Sequence, residues 1–80
     1  MSETHEDRYE LVWVDRNADP DDEVRLNSGT RQEMYRVLFE LSGVLVAQGM
    51  RPHFGLCKVD FYLEENHDNG ADYSLEVARI

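Results

Sequence analysis

Cysteine, lysine and proline are the scarce residues of this chain: its 80 residues include one Cys, one Lys and two Pro. The single cysteine, Cys57, excludes an internal disulfide, and its place in an alternating apolar segment predicts a buried, reduced thiol. No apolar run approaches the roughly 18–20 residues that a membrane span needs. Residues 1–7 lack the basic and apolar regions of a signal peptide, so we expect a cytoplasmic protein.

Positive charge is scarce as well. Asp and Glu together number 17 against 8 for Lys and Arg, which gives a formal net charge of -9. Such a surface repels nucleic acid and anionic membranes, and it attracts basic protein surfaces over about 8–10 Å at physiological salt. We therefore expect neither direct nucleic-acid binding nor membrane binding. The preference for arginine over lysine also fits a GC-rich genome or a high-salt cytoplasm, in which acidity needs no partner.

The length of the chain suffices for one compact domain, with one helix layer on one sheet. Residues 1–7 are polar and without periodicity, so we expect a flexible tail there. Residues 8–80 are then a single domain.

Three segments alternate between apolar and polar residues with the period of two that is typical of half-buried strands. They are residues 9–14, 54–64 and 72–80. Val24 and Leu26 predict a short further strand that pairs back on the first. Residues 15–23, between these first two strands, are predicted to form an acidic loop with turns around Pro20.

A helix is predicted from Arg31 to about Gln48. Thr30 and Glu33 form a capping-box pattern at its start, and Gly49 is placed to end it. One broad apolar stripe is expected to cover the sheet, and it consists of Met34, Val37, Leu38, Leu41, Val44 and Leu45. Three apolar residues lie outside its centre, on a helix flank that consists of Tyr35, Phe39 and Val46.

The register of the last two strands follows from keeping their apolar faces together. A three-residue loop over 68–70, with its glycine in a left-handed bulge position, meets this condition. It pairs Leu63 with Leu75 and Phe61 with Val77. The predicted fold is therefore α+β in the order β-β-α-β-β, a largely antiparallel sheet with one helix packed on one face.

The chain has no complete motif for catalysis or metal binding. Residues 15–19 resemble the opening of an EF-hand loop, but Pro20 and Leu26 stand where that loop needs Gly and Glu. The three histidines share no ligand spacing. Residues 28–30 lie at a helix start that suits a phosphate, yet the Walker lysine is absent and capping explains them. We expect a protein that is not an enzyme and has no metal or cofactor.

Two surfaces are candidates for contact with another protein. The first is the acidic loop together with the sheet face that the helix leaves open, where Glu10, Val12, Val14 and Leu56 are also expected. Its candidate binding residues are Asp19, Asp21, Asp22, Glu23, Asp60, Tyr62, Glu64 and Glu76. The second is the helix flank, which suits a homodimer seam or a partner patch. Each has a simpler explanation, solubility for the acidic residues and burial under a curled sheet or the acidic loop for the flank.

In size, acidity, arginine bias and lack of catalytic motifs, the chain resembles the small acidic phage-encoded inhibitors of bacterial defence, which include anti-CRISPR proteins and DNA mimics. The resemblance implies a protein of the host cytoplasm that blocks a nucleic-acid-binding surface of a defence complex such as a CRISPR-Cas effector. It also implies that carboxylates stand in for phosphates, namely Asp19, Asp21, Asp22, Glu23, Asp60, Glu64 and Glu76.

Two hypotheses remain open. In the first, the chain is a non-enzymatic inhibitor whose partner is the basic surface of a nucleic-acid-binding protein or complex. In the second, it is a small structural or adaptor protein that forms a homodimer through the helix flank, and its acidity serves solubility or a high-salt cytoplasm.

Overall fold

One antiparallel sheet and one helix make up the structure, a computed structural model that describes residues 8–63, 65 and 70–80. The elements in chain order are β1 (Arg8–Asp15), β2 (Asp22–Thr30), α1 (Arg31–Ala47), β3 (Arg51–Phe54), β4 (Lys58–Tyr62) and β5 (Tyr73–Arg79). The strand order in the sheet is β2-β1-β5-β4-β3, and α1 packs on one face. The predicted α+β class and single domain are confirmed. The predicted tail, residues 1–7, lies outside the described residues.

The core lies between α1 and the three central strands. Its buried side chains are Leu11, Met34, Leu38, Val59, Phe61, Leu75 and Val77. The strand residues of this set share the helix face, because successive side chains of a strand point to opposite faces. Trp13 and Tyr73 stack at the margin of the core, with ring centroids 5.0 Å apart.

The boundaries of α1 agree with the prediction. Thr30 Oγ1 accepts a hydrogen bond from Glu33 N at 3.1 Å, and Glu33 Oε1 accepts one from Thr30 N at 3.0 Å, which completes the capping box. Gly49 follows the helix with a φ of 102°, a left-handed conformation that favours glycine. The apolar stripe covers the sheet except at Val44, which is 52% exposed.

The single strand predicted over 54–64 is wrong, because two strands and a tight turn occupy this region. Gly55 N donates a hydrogen bond to the Lys58 carbonyl at 2.8 Å, so the chain reverses at the two residues between them. β3 and β4 pair on either side, and Phe54 lies opposite Val59. Phe54 therefore belongs to the helix face and not to the open face on which the continuous strand would place it.

The turn also corrects two side-chain predictions. Cys57, expected to be buried, is exposed, and its carbonyl accepts a hydrogen bond from Val77 N at 2.8 Å. Leu56, expected on the open sheet face, is at the tip of the turn and is 98% exposed.

The predicted register of β4 against β5 is wrong by four residues, because Phe61 pairs with Tyr73 and not with Val77. β4 pairs Phe61 with Tyr73 and Val59 with Leu75, which keeps each residue on its expected face while shortening the ladder. Leu63 then lies beyond the end of β4. Of the predicted three-residue loop, residues 68 and 69 lie outside the described residues.

β2 is longer than the predicted pair of residues around Arg25. It runs from Asp22 to Thr30 along β1, and a bulge opposite Leu11 and Val12 accommodates Leu26. The acidic loop is correspondingly shorter, because Asp22 and Glu23 lie in the strand.

Chemical labelling tests the β3–β4 turn. Because Cys57 lies in an exposed turn, we expect a thiol-specific reagent to react with the native protein as fast as with the protein in urea. The measurement is the absorbance change of Ellman's reagent under both conditions. A native thiol that reacts only after unfolding would instead indicate the continuous strand, in which Cys57 is buried.

Candidate protein-binding surfaces

The two ends of the sheet differ in charge. β1, β4 and α1 run towards one end, and β2, β3 and β5 run away from it. This acidic end has Arg16 and Arg51 together with the carboxylates of Asp15, Asp19, Asp21, Asp22, Glu23, Glu65 and Asp72. At the opposite end, called the basic end, the described residues include Glu33 together with Arg8, Arg31, Lys58 and Arg79.

The helix adds to this separation of charge. α1 runs from the basic end to the acidic end, so the negative end of its macrodipole lies beside the carboxylates. Its last turn contains no basic residue that would offset this partial charge. The helix macrodipole and the side-chain charges therefore both make the electrostatic potential at the acidic end negative.

Arg16 holds the acidic loop against the open face of the sheet. Its Nε donates to Ser74 Oγ at 2.9 Å, and its Nη2 donates to a Glu76 carboxylate oxygen at 2.9 Å. Its Nη1 lies 3.3 Å from a carboxylate oxygen of Asp21, and its backbone N donates to the Asp72 carbonyl at 3.0 Å. One side chain thus joins the loop to β5 and lowers the repulsion among the loop carboxylates.

The contacts of Arg16 continue into β4. Ser74 Oγ, which is fully buried, donates to Asp60 Oδ1 at 2.6 Å. The other carboxylate oxygen of Asp60 lies 3.8 Å from Lys58 Nζ. Two of the predicted partner-binding carboxylates, Asp60 and Glu76, are therefore bound within the protein, and their charges are offset by Lys58 and Arg16.

Asp72 joins the acidic loop to the end of β4. Its carboxylate accepts hydrogen bonds from Asn17 Nδ2 at 3.1 Å and from Leu63 N at 2.9 Å. Within the loop, Asn17 N donates to Asp15 Oδ1 at 2.9 Å, the geometry of an Asx turn. These bonds give the acidic end a defined shape although most of its side chains face solvent.

The remaining predicted binding residues divide by position. Asp19, Asp22 and Glu23 are exposed, and within the described ranges no cation lies within ion-pair distance of them. Tyr62 is half-buried beside Arg51, whose guanidinium carbon lies 5.9 Å from the ring centre. Glu64 lies outside the described residues.

The open face is less acidic than its sequence suggests. Besides the paired Asp60 and Glu76, Glu10 lies 3.1 Å from Arg25 Nε. Val14, expected to face solvent, is buried where its strand pairs with Ser74. Of the two parts of the first predicted surface, only the acidic end presents carboxylates that have no ion-pair partner among the described residues.

The helix flank is a second exposed surface. Phe39 is 59% exposed and Val46 is 43% exposed, so the interpretation that these two are core residues is wrong. Tyr35 is half-buried, with the Arg31 guanidinium carbon 5.6 Å from its ring centre. Phe54 of β3 extends the patch, since its ring centroid lies 6.4 Å from that of Phe39. The acidic loop is at the far edge of the sheet from β3 and does not cover this flank.

Two further properties concern the described part of the chain only. It contains no cluster of three or more His, Cys, Asp or Glu side chains in a geometry that would hold a metal ion. Its helix is too short and insufficiently apolar to cross a membrane.

Comparisons with protein-family models, with curated proteins and with solved structures find no match to this chain.

Sequence reasoning missed the residues that organise the acidic end, namely Arg16, Asp72 and Ser74. Arg16 bonds to partners 58 and 60 positions away, a separation that no local pattern encodes. One signal was available: Arg16 is the single cation in the predicted loop 15–23, where carboxylates crowd, so an anchoring role was foreseeable.

The Arg16 contacts generate a stability prediction. Arg16→Met keeps the aliphatic stem but removes the hydrogen bonds to Ser74 and Glu76, so we expect the free energy of unfolding to fall by about 1–3 kcal/mol. Arg25→Met is the matched control, because it removes an exposed pair that is worth about 0–1 kcal/mol. Urea denaturation followed by circular dichroism measures both. Equal losses in the two variants would show that Arg16 is an ordinary surface arginine.

Proposed function

We propose that this protein is a non-enzymatic inhibitor whose acidic end docks on a basic, nucleic-acid-binding surface of another protein. The observation that carries the proposal is the exposure of Asp19, Asp22 and Glu23 at one end of the sheet, without a cation at ion-pair distance in the described ranges. Asp21 lies beside them, and its one ion-pair partner among the described residues is Arg16, at 3.3 Å. Exposed carboxylates with few internal ion pairs can bind a partner's arginines and lysines without first breaking contacts within the protein.

The fixed geometry of the loop supports the proposal. A loop that is already ordered by Arg16 and Asp72 loses less conformational freedom on binding than a loose acidic segment does. The open face contributes less, since Asp60 and Glu76 already have internal partners.

The size and charge of the chain also suggest which kind of protein it binds. Small size, a net charge of -9 and exposed carboxylates are properties shared with phage-encoded inhibitors of bacterial defence, the anti-CRISPR and DNA-mimic proteins. On that basis the target is a nucleic-acid-binding surface of a defence complex such as a CRISPR-Cas effector. The protein then acts in the host cytoplasm and binds no nucleic acid itself.

Neutralising the acidic end tests this function. Each exposed charge pair is worth about 0.2–1 kcal/mol, so a triple Asp19→Asn, Asp22→Asn, Glu23→Gln variant should bind its partner roughly 3- to 150-fold more weakly. To measure this, proteins from a bacterial lysate are captured on the immobilised chain and identified by mass. Each captured protein is then purified and titrated with the native chain and with the triple variant. We expect the native chain to retain a nucleic-acid-binding protein at low salt, to release it at high salt and to displace its DNA or RNA.

Glu40→Gln is the control, because Glu40 is an exposed carboxylate on α1 away from the acidic end. This variant should bind like the native chain. Binding that survives both high salt and the triple substitution would refute a role for the acidic end.

The helix flank favours a second candidate function, a structural or adaptor protein that dimerises through it. The supporting observation is that Phe39 and Val46 are exposed and adjoin Phe54. In that case the acidity serves solubility or a high-salt cytoplasm.

Phe39→Asp distinguishes the two functions. Because Phe39 is largely exposed, the substitution should change the free energy of unfolding by only about 0.5 kcal/mol. An inhibitor that works through its acidic end keeps the same mass in solution and the same partner affinity. An adaptor that dimerises through the flank loses its dimer, which light scattering coupled to size exclusion would detect.

A further inference from the structure

Leu56 is an apolar side chain held out in solvent at the basic end. It occupies the tip of the β3–β4 turn and is 98% exposed. The turn is fixed by three hydrogen bonds: Gly55 N to the Lys58 carbonyl at 2.8 Å, Val77 N to the Cys57 carbonyl at 2.8 Å, and Tyr35 Oη to the Leu56 carbonyl at 3.4 Å. A rigid apolar tip of this kind loses little conformational freedom when it enters a pocket.

A matching cavity opens between β2 and α1. It has a volume of about 200 Å³, and its lining is apolar: Trp13, Leu26, Leu41, Val44, Leu45 and Leu75. Leu26 and Val44 at its mouth are 46% and 52% exposed. An apolar cavity of about 150 Å³ holds a benzene molecule, whereas sites for drug-sized ligands measure about 300–1,000 Å³. The cavity therefore suits one branched aliphatic side chain better than a cofactor.

Among the described residues, the charged side chains near the tip and those near the cavity have opposite signs. Leu56 is near Lys58 and Arg31 at the basic end. The cavity lies in the half of the molecule nearer the acidic end, since Leu45 is close to the end of α1 and Trp13 is close to the end of β1. Asp22 and Glu23 precede Val24 and Leu26 on the strand that borders it. A second copy of this chain thus offers both the shape and the charge that the cavity requires.

We propose that the chain associates head to tail, with Leu56 of one copy inserted in the cavity beside Leu26 and Val44 of the next. The contact is heterologous, because it joins two different surfaces of the same molecule. A pair of copies joined in this way still has one free tip and one free cavity, so association continues to short chains or closes into rings. A two-fold dimer uses one surface twice and does not have this property.

Matched substitutions at exposed positions test the proposal without disturbing the core. Leu56→Ser removes the tip, and Val44→Asp places a carboxylate at the mouth of the cavity. Val46→Asp is the control, because Val46 is exposed to a similar degree on the same helix but lies on the helix flank. Sedimentation velocity at low salt, from micromolar to millimolar concentration, should show growing species for the native chain and the control. Leu56→Ser and Val44→Asp should each remain monomeric.

Mixing the two monomeric variants gives the sharpest result. The Val44→Asp chain still has its Leu56 tip, and the Leu56→Ser chain still has its cavity. Their mixture should therefore form a one-to-one dimer that cannot grow. A mixture that stays monomeric, a native chain that is monomeric throughout, or a Val46→Asp variant that alone loses association would overturn the proposal.

Trp13 gives an independent signal, since it is the only tryptophan and it lines the cavity. Its emission should shift to shorter wavelength as the native chain is concentrated, and it should not shift in Leu56→Ser. Circular dichroism checks that each variant is folded, and Val44→Ser replaces Val44→Asp if the latter unfolds. An emission that is independent of concentration in the native chain contradicts insertion at this cavity.

Discussion

The structure depends on compensation of negative charge by Arg16. The segment from Asp15 to Glu23 concentrates carboxylates at a chain reversal, where mutual repulsion would otherwise favour an open, disordered loop. Arg16 lies at the start of the reversal and reaches back over the sheet to Ser74 and Glu76, with Asp21 on its remaining nitrogen. The loop that carries most of the exposed acidity is thereby fixed to β5, the central strand of the sheet.

This anchoring explains why acidity is uneven over the surface. Three cations, Arg16, Arg25 and Lys58, each lie beside a carboxylate of the open face, so the charges of Glu76, Glu10 and Asp60 are offset within the protein. Uncompensated carboxylates remain beyond it, on the loop and at the start of β2. The C-terminal end of α1, which is the negative end of the helix macrodipole, lies at the same end of the molecule. The molecule consequently has one end suited to a basic partner and one end at which apolar Leu56 lies among cations.

The features of the fold that depend on residues close in sequence could be predicted. Those that depend on contacts between distant residues could not. The capping box at Thr30 and the apolar stripe of α1 are short-range patterns, and both agree with the structure. The turn at Leu56 was missed because Val59, Phe61 and Leu63 after it alternate as in one continuous strand, and Phe54 alone before it could have shown the change of phase. Gly55 was the only marker of the turn. Carboxylates of the acidic end could be named from the sequence. That Asp60 and Glu76 are neutralised depends on contacts across strands, which the sequence does not reveal.

The central claim is that free negative charge resides at the acidic end and not across the open face. A nuclear magnetic resonance titration of the isotope-labelled chain with a short arginine-rich peptide tests it most directly. We predict that amide shifts concentrate at residues 15–23 and 70–72 and decline as salt is added, while the amides of residues 56–60 and 76–79 change little. Shifts of equal size along β4 and β5 would contradict this account, because they would place the basic ligand on the open face.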